Sequence, residues 1–339
     1  MFVNWAHYYI PKCAIVLSYV FNPTFIYLVM SDRKSQMGNY RYLLITFAFF
    51  NMACSLCDVF VPMCVHDHRY MFMVYISDGP FVSKSFAGQW AIAIRCGFIS
   101  CTYGILNVHF VFRYLVLKRG ELLRRYFLPY GLILSILFCV FHLLLWAVIC
   151  QIYLFPVTEK RVYIEQSLRD LYDGDSMDLN FLAALYGDTT NEIRRDSWTG
   201  ILLITAISTY SVCLYFIVGY KIVTGLNENV QMSRRTNEMQ RQLFKALTVQ
   251  TVIPICVSFA PCVASFYGAA FLIPFPNFIY WMSPVAVALF PFLDPLAIIF
   301  FLPSLRRRLN FHVKISVYAR SSSSSDPSNT RSSRPGANF

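Results

Sequence analysis

Charge is scarce in this chain. Of 339 residues, 14% are Asp, Glu, Lys or Arg and 57% are hydrophobic. Average globular chains carry about 25% charged residues. Too few are present to clothe the two or three soluble domains that the length would allow. Other absences narrow the field further. The one N-x-S/T match, Asn22-Pro23-Thr24, is unusable because Pro stands in the middle. Segment 277–302 has no Lys to form a retinal Schiff base. The 11 cysteines make no paired CxxC metal motif and no disulfide framework, and Cys54 and Cys57 are expected only to pack. No A-x-A site follows the N-terminal residues, so a cleaved signal is not expected. No internal repeat of the transporter kind is present. Aromatic residues, at 17%, are too abundant for a disordered chain.

What is present is a series of long apolar runs. Residues 13–31 are free of charge, as are 126–158 and 197–220. Residues 42–65 are broken only by Asp58, and 85–112 only by Arg95. Residues 246–305 hold one charge, Asp294, and are long enough for two crossings, with Pro274-Phe275-Pro276-Asn277 as the turn between them. A helix needs about 20 apolar residues to cross a bilayer. The pattern therefore predicts an all-α membrane protein with a seven-transmembrane helix bundle. Its spans are expected at about 12–31, 42–65, 88–112, 127–155, 198–220, 246–272 and 278–302 within a receptor-sized domain of residues 1–310. Runs of this length exclude a β-barrel, whose strands alternate over about ten residues.

The net charge of +11 is distributed by side. Loops after spans one, three and five, with the tail, hold 20 basic and 5 acidic residues; the N-terminus and other loops hold 8 and 11. The positive-inside rule puts the N-terminus outside and the tail in the cytosol. The basic surface suits anionic inner-leaflet lipid rather than nucleic acid.

Four blocks narrow the class: GNYRYLLIT at 38–46, HFVFRY at 109–114, MQRQLFKALTVQTVIP at 239–254 and PFLDPLAIIFFLPSLRRR at 291–308. Together they resemble the nematode serpentine chemoreceptors of the Str class and its close relatives, from about Trp5 to Leu309. The resemblance implies a receptor of G-protein-coupled type at the plasma membrane of chemosensory neurons, in the sensory cilium, binding a small-molecule odorant or soluble chemical and activating a heterotrimeric G protein. It implies no enzyme activity and no cofactor. The chain departs from rhodopsin-like receptors in having Phe112 before Arg113, Asp294-Pro295 without a following Tyr motif, and no Trp two residues before Pro254. With no Cys in 159–196, the usual disulfide to span three cannot form; Cys150 is the one conceivable partner for Cys96.

Charges inside a membrane are costly, so each marks a site by default. At 1.5 Å per residue, Asp58 on span two and Arg95 on span three lie at about the same depth. They are expected to pair, with Arg95 alternatively free to hold an anionic or carbonyl ligand group. Asn51 lies at a depth that suits Asp294. Pro254 and Pro295 remove backbone hydrogen bonds and are expected to act as helix hinges. Arg113 is either a snorkelling anchor or, through the resemblance, the G-protein-facing Arg beside Tyr114, with Arg241 and Lys245 on span six. The ligand is expected among Arg95, Ile99, Thr102, Tyr103, Tyr210, Phe266, Tyr267, Tyr280 and Trp281 in the outer half.

The outer loop 159–196, with nine acids and five bases, is read either as a cap on the pocket or as a solvated loop. His66-Asp67-His68 is read as a solvated outer loop and not a metal site. Residues 303–318 suit an amphipathic helix on the inner leaflet. The Ser-rich tail 319–339 is read as disordered, with phosphorylation able to recruit an arrestin-like partner. A ligand-gated channel or transporter is the alternative function.

Overall fold

Each long apolar run holds at least one helix, though run and helix bounds do not coincide. A computed structural model describes residues 5–31, 38–228, 234–273, 277–302 and 305–309. In chain order the elements are α1 (Trp5–Ser31), α2 (Tyr40–Phe60), β1 (Met63–His68), β2 (Met71–Ile76), α3 (Phe86–Lys118) and α4 (Gly120–Tyr126). A π-helical turn, Phe127–Gly131, leads into α5 (Leu132–Tyr153). Then come α6 (Thr158–Tyr172), β3 (Phe181–Leu185), α7 (Asn191–Glu228) and α8 (Arg234–Pro254). A second π-helical turn, Ile255–Phe259, joins α8 to α9 (Ala260–Phe271), and α10 (Asn277–Phe301) follows.

Six helical stretches among the described residues are long and apolar enough to cross a membrane. The seventh rod is composite: α8, the π turn and α9. Pro254 has no N–H to give to the helical ladder, and the irregular turn begins at the next residue. By contrast α10 runs unbroken through Pro284, Pro291 and Pro295. The expected hinge at Pro295 is therefore not a break in the helix.

The bundle buries polar residues within its apolar core and exposes apolar side chains on its outside. Buried residues include Ser18, Asn22, Asn51, Asp58, Arg95, Asn107, His109, Arg113, His142 and Asp294. Leu134, Leu137, Phe141, Leu144, Phe216 and Phe300 are exposed. That arrangement suits lipid as solvent, where polar groups must find partners within the protein. Helix α3 is the central element and packs on α5, α7, α2 and α8. At Gly97 a Cβ would stand 2.6 Å from the Leu143 carbonyl oxygen, so only Gly lets α3 and α5 approach this closely.

The end of the bundle opposite the basic loops carries a three-stranded antiparallel sheet in the order β1-β2-β3. Here three expectations are corrected. Span two stops at Phe60, and residues that continue its apolar run enter β1. His66-Asp67-His68 is strand and not a solvated loop, and His66 is buried with Ser167 Oγ 3.0 Å from its Nε2. Residues 159–196 are not a solvated loop either, because they supply α6 and β3.

Strand alternation divides the sheet into two faces. Cys64, Met71, Met73, Tyr75, Phe181, Ala183 and Leu185 pack beneath α6 on Ile164 and Leu168. Phe72, Val74, Ile76, Leu182, Ala184 and Tyr186 pack on the bundle. Two buried cations tie α6 to this layer. Lys160 Nζ donates to the carbonyls of Tyr153 (3.3 Å), Phe155 (3.1 Å) and Ala183 (2.8 Å). Arg161 donates to the carbonyls of Pro156, Ser176 and Leu179. Burial pushes the Lys160 ammonium down to about 8.

At the basic end, residues 305–309 are helical and Leu305 is buried. The remainder of the amphipathic segment and the Ser-rich tail lie outside the described residues.

Candidate functional site

Beneath the sheet lies an apolar cavity enclosing about 610 Å³, part of it open to solvent. Its roof is Val65, Phe72, Val74 and Leu182, and its walls include Cys96, Ile99, Trp146, Phe266 and Val287. A deeper space of about 400 Å³ shares Ile99 and Val287 with it and is lined by Arg95, Thr102, Tyr103, Pro254 and Phe290.

Arg95 borders the deeper space and is fully buried. Its Nη2 pairs with Asp58 Oδ1, joining α3 to α2. The pair is single and not bidentate: Arg95 Nε and Nη1, and Asp58 Oδ2, have no hydrogen-bond partner. Two donors of a permanently charged guanidinium are thus available next to the cavity.

Of the expected ligand residues, Arg95, Ile99, Thr102, Tyr103 and Phe266 line one or other space. Tyr210 does not. It is half-exposed, pairs with His142 Nε2 and accepts from Asn107 Nδ2 at 3.2 Å. Ser100 Oγ completes that network at 3.2 Å from His142 Nδ1. Tyr267 donates to Thr205 Oγ1 at 3.1 Å, and Tyr280 faces Asp67. The side chain of Trp281 lies outside the described residues. Cys96 and Cys150 adjoin each other as free thiols.

Midway down, Asn51 Nδ2 donates to Asp294 Oδ2 at 2.9 Å, and Gln250 Nε2 donates to Oδ1. This carboxylate ties α2, α8 and α10 together. Asn22 adds α1 by donating to the Pro291 carbonyl at 3.0 Å.

Nearer the basic end, Arg113 is buried and does not snorkel. Its guanidinium stacks 3.4 Å from the Tyr40 ring centroid, and its Nη1 donates to Gln240 Oε1 on α8 at 2.8 Å. Tyr40 in turn bonds His109 Nδ1 at 2.8 Å. Tyr114 is half-buried with Lys221 5.9 Å from its ring. Arg241 donates to Asn227 Oδ1 at 2.7 Å, and Lys245 is exposed.

Gln240, Gln250, Tyr40, His109 and His142 escape a search for intramembrane charge because none is formally charged. A search for uncharged polar residues in the apolar runs would have found His109, His142 and Gln250.

Residues 1–309 match the family described as serpentine type 7TM GPCR chemoreceptor Srj. Serpentine receptor class J-38 of Caenorhabditis elegans is 34% identical over 311 residues, covering 91% of this chain and 94% of that one. Serpentine receptor class r-10 of the same organism is 27% identical, covering 83% of each chain. G-protein coupled receptor str-217, also of that organism, is 27% identical, covering 87% of this chain and 86% of that one. The Str-like blocks, a bundle whose apolar helices bury polar residues and expose apolar ones, and a match spanning all the helices agree: the chain belongs to the Srj family of serpentine, G-protein-coupled-type chemoreceptors, multi-pass proteins of the membrane.

Proposed function

We propose that the chain is a chemosensory receptor that takes a small, mainly apolar molecule from outside into the cavity beneath the sheet and activates a heterotrimeric G protein at the basic end. The observation that carries this reading is the apolar cavity adjoining the two unpartnered nitrogens of Arg95. Such a site accepts an apolar body and orients its carbonyl or anionic group by hydrogen bonds from a cation. Arg113, held by Gln240 on α8, is the group that meets the G protein when that helix end moves aside. Tyr114, Arg241 and Lys245 border the same surface. The plasma membrane of a sensory cilium is the proposed location, and the Ser-rich tail is a proposed docking site for an arrestin-like protein.

The test is expression in cells carrying a promiscuous Gα, with volatile and water-soluble compounds screened against calcium release. Arg113→Ala serves as the uncoupled control. A ligand-evoked response that vanishes with Arg113→Ala supports the reading. An evoked current that persists when G proteins are blocked replaces it with the channel alternative. A terminal tag accessible in intact cells only at the N-terminus supports the orientation; one accessible at the C-terminus overturns it.

A further inference from the structure

We propose that Asp67 is the anchor for a protonated amine, so that the cavity takes a lipophilic amine with its nitrogen at the sheet and its apolar body below. The inference rests on the receptor reading above, which gives the Arg95 end of the cavity a carbonyl or anionic group, and adds an ammonium at the opposite, sheet end.

Strand alternation places Met63, Val65 and Asp67 on the face of β1 that looks into the bundle. Met63 and Val65 line the cavity, and so does Phe72, which stands directly across from Asp67 in the β1–β2 register. Asp67 is therefore the next residue on that face of β1, just past the lining that Val65 and its neighbour Phe72 supply. It is the one charged residue on that face of the sheet, whose other members are Ile76, Val74, Leu182, Ala184 and Tyr186.

Both carboxylate oxygens of Asp67 are buried without a charged partner, with only the Tyr280 hydroxyl within reach among the described residues. No cation among the described residues pairs with it. Arg95 is already joined to Asp58, and Lys160 and Arg161 are spent on carbonyls across the sheet. A buried carboxyl in that state costs free energy, and an apolar residue would serve packing better. Its surroundings are aromatic. The Tyr280 hydroxyl faces it, and the neighbouring Tyr186 hydroxyl is also buried without a partner. The Tyr186 ring lies 5.0 Å from Trp198, and Phe72 meets Phe266 edge-on at 4.7 Å. A lone carboxylate among aromatic rings is how proteins recognise an ammonium, by charge and by cation–π attraction together. A divalent metal would need further ligands, and no group of three His, Cys, Asp or Glu suited to one exists among the described residues. Burial pushes the Asp67 carboxyl up to about 8, as expected of a carboxyl without a counter-charge.

The experiment uses the full-length receptor in nanodiscs. Thermal stabilisation is titrated with hexylamine, octylamine and 2-phenylethylamine, each against the alcohol of the same skeleton. Wild type is expected to bind the amines at least about tenfold more tightly than the alcohols. Asp67→Asn is expected to abolish that preference, and Asp67→Glu to retain it. Amines that bind no better than alcohols overturn the proposal on wild type alone, whether or not a variant folds. Retention of the preference in Asp67→Asn also overturns it. Because binding is read without a G protein, the two proposals fail separately. Asp67-dependent amine binding with no cellular response keeps the site and removes coupling. A cellular response to neutral compounds with no amine preference does the reverse.

Discussion

Removing one half of the Asp58–Arg95 pair should damage this receptor more than removing both. Arg95 is among the largest fully buried side chains, and Asp58 is 5% exposed. Neither charge can reach water when its partner is lost. Breaking a buried pair on one side costs about 3–5 kcal/mol. That is a large share of the roughly 5–15 kcal/mol that holds a typical domain folded. Replacing both with uncharged residues of similar volume leaves no stranded charge and costs far less. The pair also holds by one bond and leaves three of its atoms unpartnered, so its net worth over apolar packing is small.

The perturbations are Asp58→Asn, Arg95→Met and the double variant, assayed by thermal unfolding in detergent and by surface display. Each single variant should melt roughly 10 °C lower. The double variant should recover most of that loss and display better than either. Costs that simply add, or a neutral Asp58→Asn, would refute the claim that these charges compensate each other. Ligand binding is expected to weaken in every variant lacking Arg95, recovered stability notwithstanding, because the cavity donors are gone.

Three other outcomes follow from the structure. Lys160→Met leaves three carbonyls without their donor, so about 2–3 kcal/mol of stability should be lost; hydrogen exchange should quicken in β3 and at the end of α5. His66 is pushed down to about 4 by burial, with His68 adding to the effect, whereas an unfolded His titrates near 6.5. The unfolded chain therefore takes the proton first, and stability falls as pH drops from about 6.5 towards 4. Melting at pH 7.5 and 5 should reveal a loss of about 2 kcal/mol that His66→Gln removes; an unchanged slope in that variant refutes the assignment. Gln240→Ala frees Arg113 from α8 and should raise basal G-protein activation in cells, while a basal signal equal to wild type would show that this bond does not restrain the helix.

The helices were legible because lipid demands apolar runs of fixed length, and depth along a helix is arithmetic. That arithmetic brings Asp58 level with Arg95 and Asn51 level with Asp294. The sheet was hidden for a physical reason. Met71–Ile76 reads Met-Phe-Met-Val-Tyr-Ile, with no polar alternation, because both of its faces are covered. The only sign was an apolar run too short for a crossing. Lys160 and Arg161 looked like solvated loop charges because sequence counts a cation without showing the carbonyls that surround it. The partners of Tyr210 and Tyr280 depend on which helix faces meet, and helical periodicity fixes a face without naming its neighbour. Asp67 reads with two histidines as a hydrophilic loop, but strand alternation sends it to the face opposite theirs.

The vertical order of these sites explains how a small docking energy can reach the far end. The deeper space touches Pro254 and Phe290. Phe290 packs on Phe47 at 6.3 Å, Phe47 on His109 at 5.4 Å, and His109 bonds Tyr40, whose ring carries Arg113. Pro254 and Gln240 belong to one rod, 14 residues and about 21 Å apart. A ligand against Pro254 therefore bears on the same helix that restrains Arg113. Inverting a two-state balance from 1:99 to 99:1 takes about 5.5 kcal/mol of differential affinity. The Arg113–Gln240 bond, at about 1.5–3 kcal/mol, lies within that reach. The Asp294 node is a sterner obstacle, since its carboxylate accepts from both Asn51 and Gln250. Gln250 stands four residues before Pro254, next to the irregular turn. The node thus fixes the middle of the rod, and motion at the Gln240 end that leaves the node intact must release Arg113 from Gln240 and either carry the end of α7 along or break the Asn237 and Arg241 bonds to Leu226 and Asn227.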